Sequence, residues 1–245
     1  LVFRYPSLPS TNDEATRLVR TQRPPEFSVV LALDQTAGRG QASNTWKSEP
    51  GANLTCSFML YPRFSQPERA FLLNMAMALA AADCVSVLCS GELHIAPAIK
   101  WPNDILLSDL KVAGILLENI WQGQRWDACV AGIGLNLNQT DFSGIDGAAS
   151  MHSLSGQTFE RDHVLSHLQQ AVKARYRQWE LRPDEILADY NVRLWRRGEY
   201  SAYMKEDGTY LNLKLDSVDA RGLAVTADLT GAREAYPHGK IRQLR

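Results

Sequence analysis

Ala98-Ile99-Lys100-Trp101-Pro102-Asn103-Asp104-Ile105-Leu106-Leu107 is followed, after a short polar break, by Lys111-Val112-Ala113-Gly114-Ile115-Leu116-Leu117-Glu118. Short apolar runs flank a Pro-Asn-Asp knot and a four-residue segment, Ser108 to Lys111. The pattern predicts a strand, a Pro-Asn-Asp bend, a hairpin turn and a second strand. Pro102 fixes its own φ and biases Trp101 toward extended geometry, so Lys100 and Asp104 on either side of the bend are held in place. A lone lysine at a strand end usually lies in solvent.

Upstream, Val2 to Tyr5 reads as a strand, and Thr11-x-x-Glu14 fits a capping box opening a helix through Ala15, Leu18 and Val19. Ser28 to Asp34 is a β-forming run that leads into Gln35-Thr36-Ala37-Gly38-Arg39-Gly40-Gln41. Two glycines around an arginine let backbone and guanidinium approach an anion together. The loop lacks the spacing of a dinucleotide fingerprint and the Gly-Lys-Ser/Thr of a P-loop. Asn53 to Tyr61 alternates as a strand, and Ser65-x-x-Glu68 predicts the start of a helix from Pro67 to about Cys89.

Downstream, Ala128 to Asn138 reads as another strand, containing Gly132, Gly134 and Asn136, with Asn136 and Asn138 on one face. Its alternating glycines allow a close approach to the backbone. Met151 to Leu154 reads as a polar turn, with helices at about Arg161 to Trp179 and Pro183 to Trp195. From Glu199 the chain becomes short β runs separated by Gly-containing turns, the pattern of a small barrel, and a segment this short is expected to pack on the main domain.

The 245 residues carry 45% hydrophobic and 22% charged side chains and a net charge of −1. That composition fits a soluble globular protein and gives no basic surface for nucleic acid. The apolar stretch Phe71 to Leu88 is interrupted by Asn74 and Asp83, so it reads as a buried helix and not as a membrane span. Cys56, Cys84, Cys89 and Cys129 form no Cys-x-x-Cys pair and sit in apolar runs, as small hydrophobes in a reducing cytoplasm would. His163 and His167 have helical metal-ligand spacing but no third ligand, so no protein-bound metal is expected.

The string Lys100-Trp101-Pro102-Asn103-Asp104-Ile105, with Lys111 and Ala113-Gly114-Ile115-Leu116-x-Glu118, resembles the central motif of the biotin protein ligases. Ser10-Thr11-Asn12, Gln35, Gly38-Arg39-Gly40-Gln41, Trp46, Asn53 and Gly132-x-Gly134-x-Asn136 occur around it in the order of that family. One departure falls at Ala42 and Ser43, where relatives carry an arginine and then a glycine. The resemblance implies an α+β fold with a mixed β-sheet flanked by helices, of the kind shared with class II aminoacyl-tRNA synthetases. It also implies a C-terminal SH3-like barrel, with residues 1–197 catalytic and 198–245 forming the barrel. It is to the monofunctional type, without an N-terminal DNA-binding domain; Leu1 in place of Met suggests a trimmed chain, and DNA binding is expected only if upstream residues were removed.

The implied reaction activates biotin with ATP, releasing pyrophosphate and forming biotinyl-5′-AMP. Biotin then passes to the ε-amine of a lysine on a biotin carboxyl carrier protein or domain. Joining two anions in the first step requires fixed positive charge. Lys100 and Arg39 are the candidates, with Lys111 third; Mg²⁺ would ride on the triphosphate oxygens. Asp104 either orients or deprotonates the incoming amine, or braces the bend through Asx-type hydrogen bonds. The resemblance assigns biotin to Ser10, Thr11, Asn12, Gln35, Gly38, Arg39, Gly40, Gln41, Lys100 and Gly114. It assigns ATP to Arg39, Trp46, Asn53, Lys111, Gly132, Gly134 and Asn136. A cytoplasmic monomer or homodimer is expected, with no nucleic acid or membrane partner. The alternatives are a non-catalytic biotin sensor, motivated by Ala42 and Ser43; a lipoate-type ligase, whose Arg-Arg-x-Ser-Gly-Gly-Gly loop is absent; and a small-barrel scaffold that neither binds biotin nor reacts with it.

Overall fold

The computed structural model describes residues 1–41, 44–63, 69–90 and 96–244. Seven strands form a sheet in the order β1-β2-β3-β7-β6-β5-β4: β1 (Val2–Leu8), β2 (Val29–Gln35), β3 (Leu54–Leu60), β4 (Ala98–Lys100), β5 (Asp104–Leu107), β6 (Leu110–Gln122) and β7 (Arg125–Leu135). Only β1 and β2 run parallel, so the sheet is mixed. The expected Lys100 hairpin is present. Its turn is tighter than the sequence suggested: Leu107 pairs with Leu110, and Ser108 and Asp109 alone bridge them with φ of 50° and 62°. Positive φ at both central positions is the geometry that matches the twist of a two-residue hairpin. The Trp101–Pro102 peptide is cis.

Successive residues of the central strands face opposite layers, as the period of two requires. Val30, Met59, Ala128 and Val130 pack with Ala15, Leu18 and Val19 of α1 (Thr11–Thr21) on one face. Val29, Leu31, Phe58, Cys129 and Ala131 face α2 (Arg69–Cys89) and α4 (Arg161–Leu181) on the other. Helix α2 is long and apolar enough to cross a membrane, but in this fold most of it is enclosed by protein. Asn74 and Asp83 inside it have partners: Asn74 donates to the Pro102 carbonyl at 3.3 Å, and Asp83 pairs with Arg175 and Arg193 at 2.6 Å each. All four cysteines are buried and free.

Several local expectations are corrected. Ser10, not Thr11, is the N-cap of α1, and no capping box forms; Thr11 turns to Gln35, while Glu14 accepts from Tyr5 at 2.6 Å and pairs with Arg17. The Ser65 and Glu68 cap lies outside the described residues. Strand β7 begins earlier than expected and ends at Leu135, so Asn136 and Asn138 leave the ladder and do not share a face. Met151 to Ser155 forms a short helix, α3, with its own capping box from Ser150 and Ser153. Helix α5 (Pro183–Val192) stops before Trp195, because the following residues pair with the edge strand β4: Ile99 donates to Arg193 at 2.7 Å and Trp195 to Ile99 at 2.8 Å.

After α5 come β8 (Tyr200–Lys205), β9 (Tyr210–Val218), β10 (Ala224–Ala227), β11 (Arg233–Tyr236) and β12 (Ile241–Gln243), an antiparallel sheet in the order β11-β10-β9-β8-β12. The expected barrel is not closed: among the described residues no ladder joins β11 to β12. Pro237 has no N–H to donate, and the turn it opens carries His238 against Trp101 of the main sheet, at 5.6 Å between ring centroids. Trp101 also donates to the Gly222 carbonyl at 3.1 Å, and Asn191 exchanges two hydrogen bonds with Val218. The small sheet is therefore tied to the bend that carries Lys100.

Candidate active site

A cleft of about 330 Å³ opens where the start of α1, the glycine–arginine loop, the Lys100 bend, β6, β7 and the 238–243 segment meet. At one end, Gln35 Oε1 accepts from the Thr11 amide at 2.7 Å and from its hydroxyl at 3.0 Å. Ser57 donates to Asn12 Oδ1 at 2.6 Å, and Asn12 Nδ2 donates to Glu118 at 2.7 Å. This end of the cleft is a preset polar network on the start of a helix. Gly132 is required beside it, because a Cβ there would overlap the Asn12 carboxamide.

At the other end the Trp46 ring lies on two glycines. A Cβ on Gly134 would stand 2.5 Å from the ring and one on Gly114 would stand 3.2 Å from it. The indole N–H of Trp46 is buried without a partner among the described residues. Lys111 lies 5.7 Å from the ring centroid, and its ammonium pairs with Asp104 at 2.6 Å. Lys100 stands over the Trp195 ring at 5.5 Å, and Trp195 is itself fixed by Asp109, to which its indole donates at 2.6 Å. Arg39 is engaged by Asp13 at 2.6 Å and by Glu118 at 2.9 Å.

The bend is braced by residues other than Asp104. Tyr190 donates to the Pro102 carbonyl at 2.7 Å, Asn103 donates to the Ile115 carbonyl, and Ile115 donates back to Asn103 at 3.2 Å. Asp104 makes the ion pair with Lys111 and no Asx-type bond is found for it among the described residues, so the bracing role falls to Asn103. Of the sequence-predicted residues, the cleft wall brings together Ser10, Thr11, Asn12, Gln35, Arg39, Gly40, Gln41, Trp46, Lys100, Asp104, Lys111, Gly114, Gly132 and Gly134.

Three predicted residues do not line it. Gly38 sits behind, where a Cβ would meet the Trp46 carbonyl oxygen at 2.5 Å. Asn53 is buried, bonded to Gln139 at 2.6 Å, to Ser48 and to the Leu137 amide. Asn136 donates to the carbonyls of Lys111 and Ala149. Both asparagines brace the loops that carry the cleft and do not face it. Ala42 and Ser43 lie outside the described residues.

Sequence reading missed Ser57, the partners of Glu118, and the 238–243 segment. Polar Thr55 and Ser57 at every second position of an otherwise apolar strand were the available signal for the first. The burial-raised proton affinity of the Cys56 thiol, which donates to the Ile133 carbonyl at 3.6 Å, makes it a poor nucleophile despite its place in the wall. His163 and His167 have rings 4.6 Å apart, and no group of three or more metal-ligating side chains occurs among the described residues.

A mixed sheet flanked by helices, with a polar helix start and paired lysines converging on one cleft, defines the class of fold. The model of the biotin/lipoate A/B protein ligase family matches residues 5–136, more than half of the chain. The chain belongs to that family. It is 38% identical over 154 residues to the biotin–[acetyl-CoA-carboxylase] ligase of Paracoccus denitrificans, covering 61% of this chain and 60% of the relative. It is 32% identical over 179 residues to the bifunctional ligase/repressor BirA of Bacillus spizizenii, covering 71% of this chain and 54% of the relative. The matches thus span little more than half the length of these curated relatives. A biotin protein ligase from Aquifex aeolicus, solved with biotin and ATP, has the same fold, with a TM-score of 0.81 at 22% identity over 100% of this chain and 98% of that one.

Proposed function

We propose that the protein is an ATP-dependent biotin protein ligase. Biotin sits at the Ser10, Thr11, Asn12 and Gln35 end, and ATP sits toward Trp46, Lys111, Gly132 and Gly134. The observation that carries this reading is the convergence in one cleft of a preset polar network and the Lys100–Asp104–Lys111 group. A neutral ring system held by fixed hydrogen bonds can then present its carboxylate to a nucleotide flanked by ammonium groups.

In the first step the biotin carboxylate attacks the α-phosphorus of ATP, and pyrophosphate leaves with the electron pair of the broken P–O bond. Lys100 and Lys111 offset the charge of the two approaching anions. Arg39 joins them by exchanging Asp13 and Glu118 for phosphate oxygens. These ion pairs are exposed enough, with the Arg39 side chain at 43%, that the exchange costs only about 1 kcal/mol. Mg²⁺, if it accompanies the triphosphate, would be held through phosphate oxygens and water and would offset charge on the leaving pyrophosphate.

In the second step a carrier-protein lysine attacks the carbonyl of biotinyl-5′-AMP, and AMP leaves. The partner is a biotin carboxyl carrier protein or domain, the working compartment is the cytoplasm, and the protein acts as a monomer or homodimer without nucleic acid. Residues 1–197 would form the catalytic domain and 198–245 an accessory one. The test is pyrophosphate release from ATP with biotin, lipoate or octanoate offered in turn and no carrier present. A burst of about one pyrophosphate per protein with biotin alone is expected. A burst with lipoate or octanoate only would move the protein to the other branch of the family.

A further inference from the structure

The second step needs a base, because a lysine ammonium must lose a proton before its nitrogen can attack. Among the described residues, three groups in the cleft wall can in principle accept one: Cys56, Asp104 and His238. Cys56 is fully buried, and its sulfur is hydrogen-bonded to a backbone carbonyl. Asp104 is already engaged by the Lys111 ammonium at 2.6 Å. His238 differs from both. Its ring packs edge-on against Trp101 at 5.6 Å, it stands at the exposed mouth of the cleft, and neither ring nitrogen has a hydrogen-bond partner among the described residues.

We propose that His238, carried on the C-terminal sheet, is the proton acceptor for the incoming carrier lysine, a reading that rests on the ligase function above. The ammonium gives one proton to a free imidazole nitrogen, and the amine lone pair forms the N–C bond. The C–O bond to AMP breaks with its electrons on the phosphate, the nitrogen gives its second proton to water as the amide forms, and the imidazolium returns the first proton to water. The placement suits the task. Trp101 follows Lys100 directly, so a ring seated on Trp101 is one residue from the cation that faces the substrate carboxylate. The turn is held by Lys240, which donates to Glu206 at 2.7 Å, and the ring it packs on, Trp101, is fixed by its bond to the Gly222 carbonyl at 3.1 Å.

The charges around His238 allow the role at neutral pH. Desolvation against the wall pushes its pKa down, and the Asp104 carboxylate pushes it up. Lys100 and Lys111 on the main sheet and Arg242 on its own segment line the same cleft and oppose an imidazolium. Burial thus favours the neutral ring, the form that accepts a proton, at a pH where a lysine of ordinary pKa near 10.4 is almost wholly protonated.

The experiment fills the wild type and His238→Gln with biotin and ATP, counts filled sites by the pyrophosphate burst, then adds a biotin carboxyl carrier domain. Transfer is measured per filled site from pH 6 to 10. The expected result is transfer about 100-fold slower in the variant at pH 7.5, the lower part of the range for a positioned base. The wild-type rate should level off near neutral pH, while the variant rate climbs tenfold per pH unit toward the lysine range. Added imidazole should restore transfer in His238→Ala. Equal transfer per filled site, or a loss that is the same at every pH and not rescued by imidazole, would overturn the proposal. A missing burst with biotin in the wild type would instead refute the ligase reading itself.

Discussion

Replacing Gly134 by alanine puts a methyl group where the Trp46 ring lies. The added Cβ would stand 2.5 Å from two ring carbons, against an ordinary contact of 3.4 Å, so the ring must retreat by about 1 Å. It cannot do so freely, since the Trp46 amide is bonded to the Gly38 carbonyl at 2.9 Å and the ring also lies close against Gly114. Overpacking of this kind costs about 1–3 kcal/mol. If that strain is felt where ATP binds, the affinity for ATP falls roughly 5- to 150-fold, at 1.4 kcal/mol per factor of ten. The biotin end, built on Thr11, Asn12, Gln35 and Ser57, is untouched, and biotin affinity should stay within about threefold of the wild type, given that substitutions away from a contact usually cost under 0.5 kcal/mol. Titration calorimetry with biotin, and pyrophosphate release against ATP concentration, separate the two. Equal losses at both ends, or an unchanged ATP dependence, would refute the division of the cleft at Trp46.

Lys100→Met should abolish the pyrophosphate burst while leaving the circular dichroism spectrum and thermal midpoint near wild type, since its ammonium faces the cleft and not the core. Tyr190→Phe removes the hydroxyl that supports the Pro102 carbonyl and should lower stability by about 1 kcal/mol in urea unfolding, the usual net value of one hydrogen bond. The Pro102 carbonyl then loses one of its two side-chain donors, Asn74 being the other, so the burst should slow as well. Asp127 is buried between Arg23 and Arg125, and hydrogen bonding from Arg23 first of all holds its pKa below the ordinary carboxylate range. A depressed folded-state pKa adds stability that is complete above the unfolded value near 3.9 and is lost as pH falls through the folded one. Acid unfolding of Asp127→Asn should accordingly be shallower below pH 4, with lower stability at pH 7; parallel acid curves would contradict it.

The Lys100 hairpin, the buried α2 helix and the glycine pair of β7 were legible because each rests on local pattern. Strand alternation, an apolar run, and a spacing that only a close neighbour explains can all be read from a short window. Even there the neighbours were hidden: Gly132 makes room for Asn12, and Gly134 for Trp46, two segments far away in sequence. The Thr11-x-x-Glu14 pattern misled, since a long-range acceptor, Gln35, takes the Thr11 amide that Glu14 would accept from in a capping box. Asn136 and Asn138 were placed on one face by strand period, but the strand ends at Leu135, and each asparagine bonds a different loop. The barrel was inferred from strand spacing, which says nothing about whether the edges pair. His238 carried no local signal; only docking of the small sheet on Trp101 brings it to the cleft.

The central claim is that biotin ends on a protein lysine. The most direct measurement is the intact mass of a biotin carboxyl carrier domain after incubation with the protein, biotin and MgATP. The account predicts a gain of one biotin less one water, on one lysine, which is lost when ATP is omitted or that lysine is replaced by arginine. An unchanged carrier mass, with biotin bound by the protein and no pyrophosphate released, would contradict it.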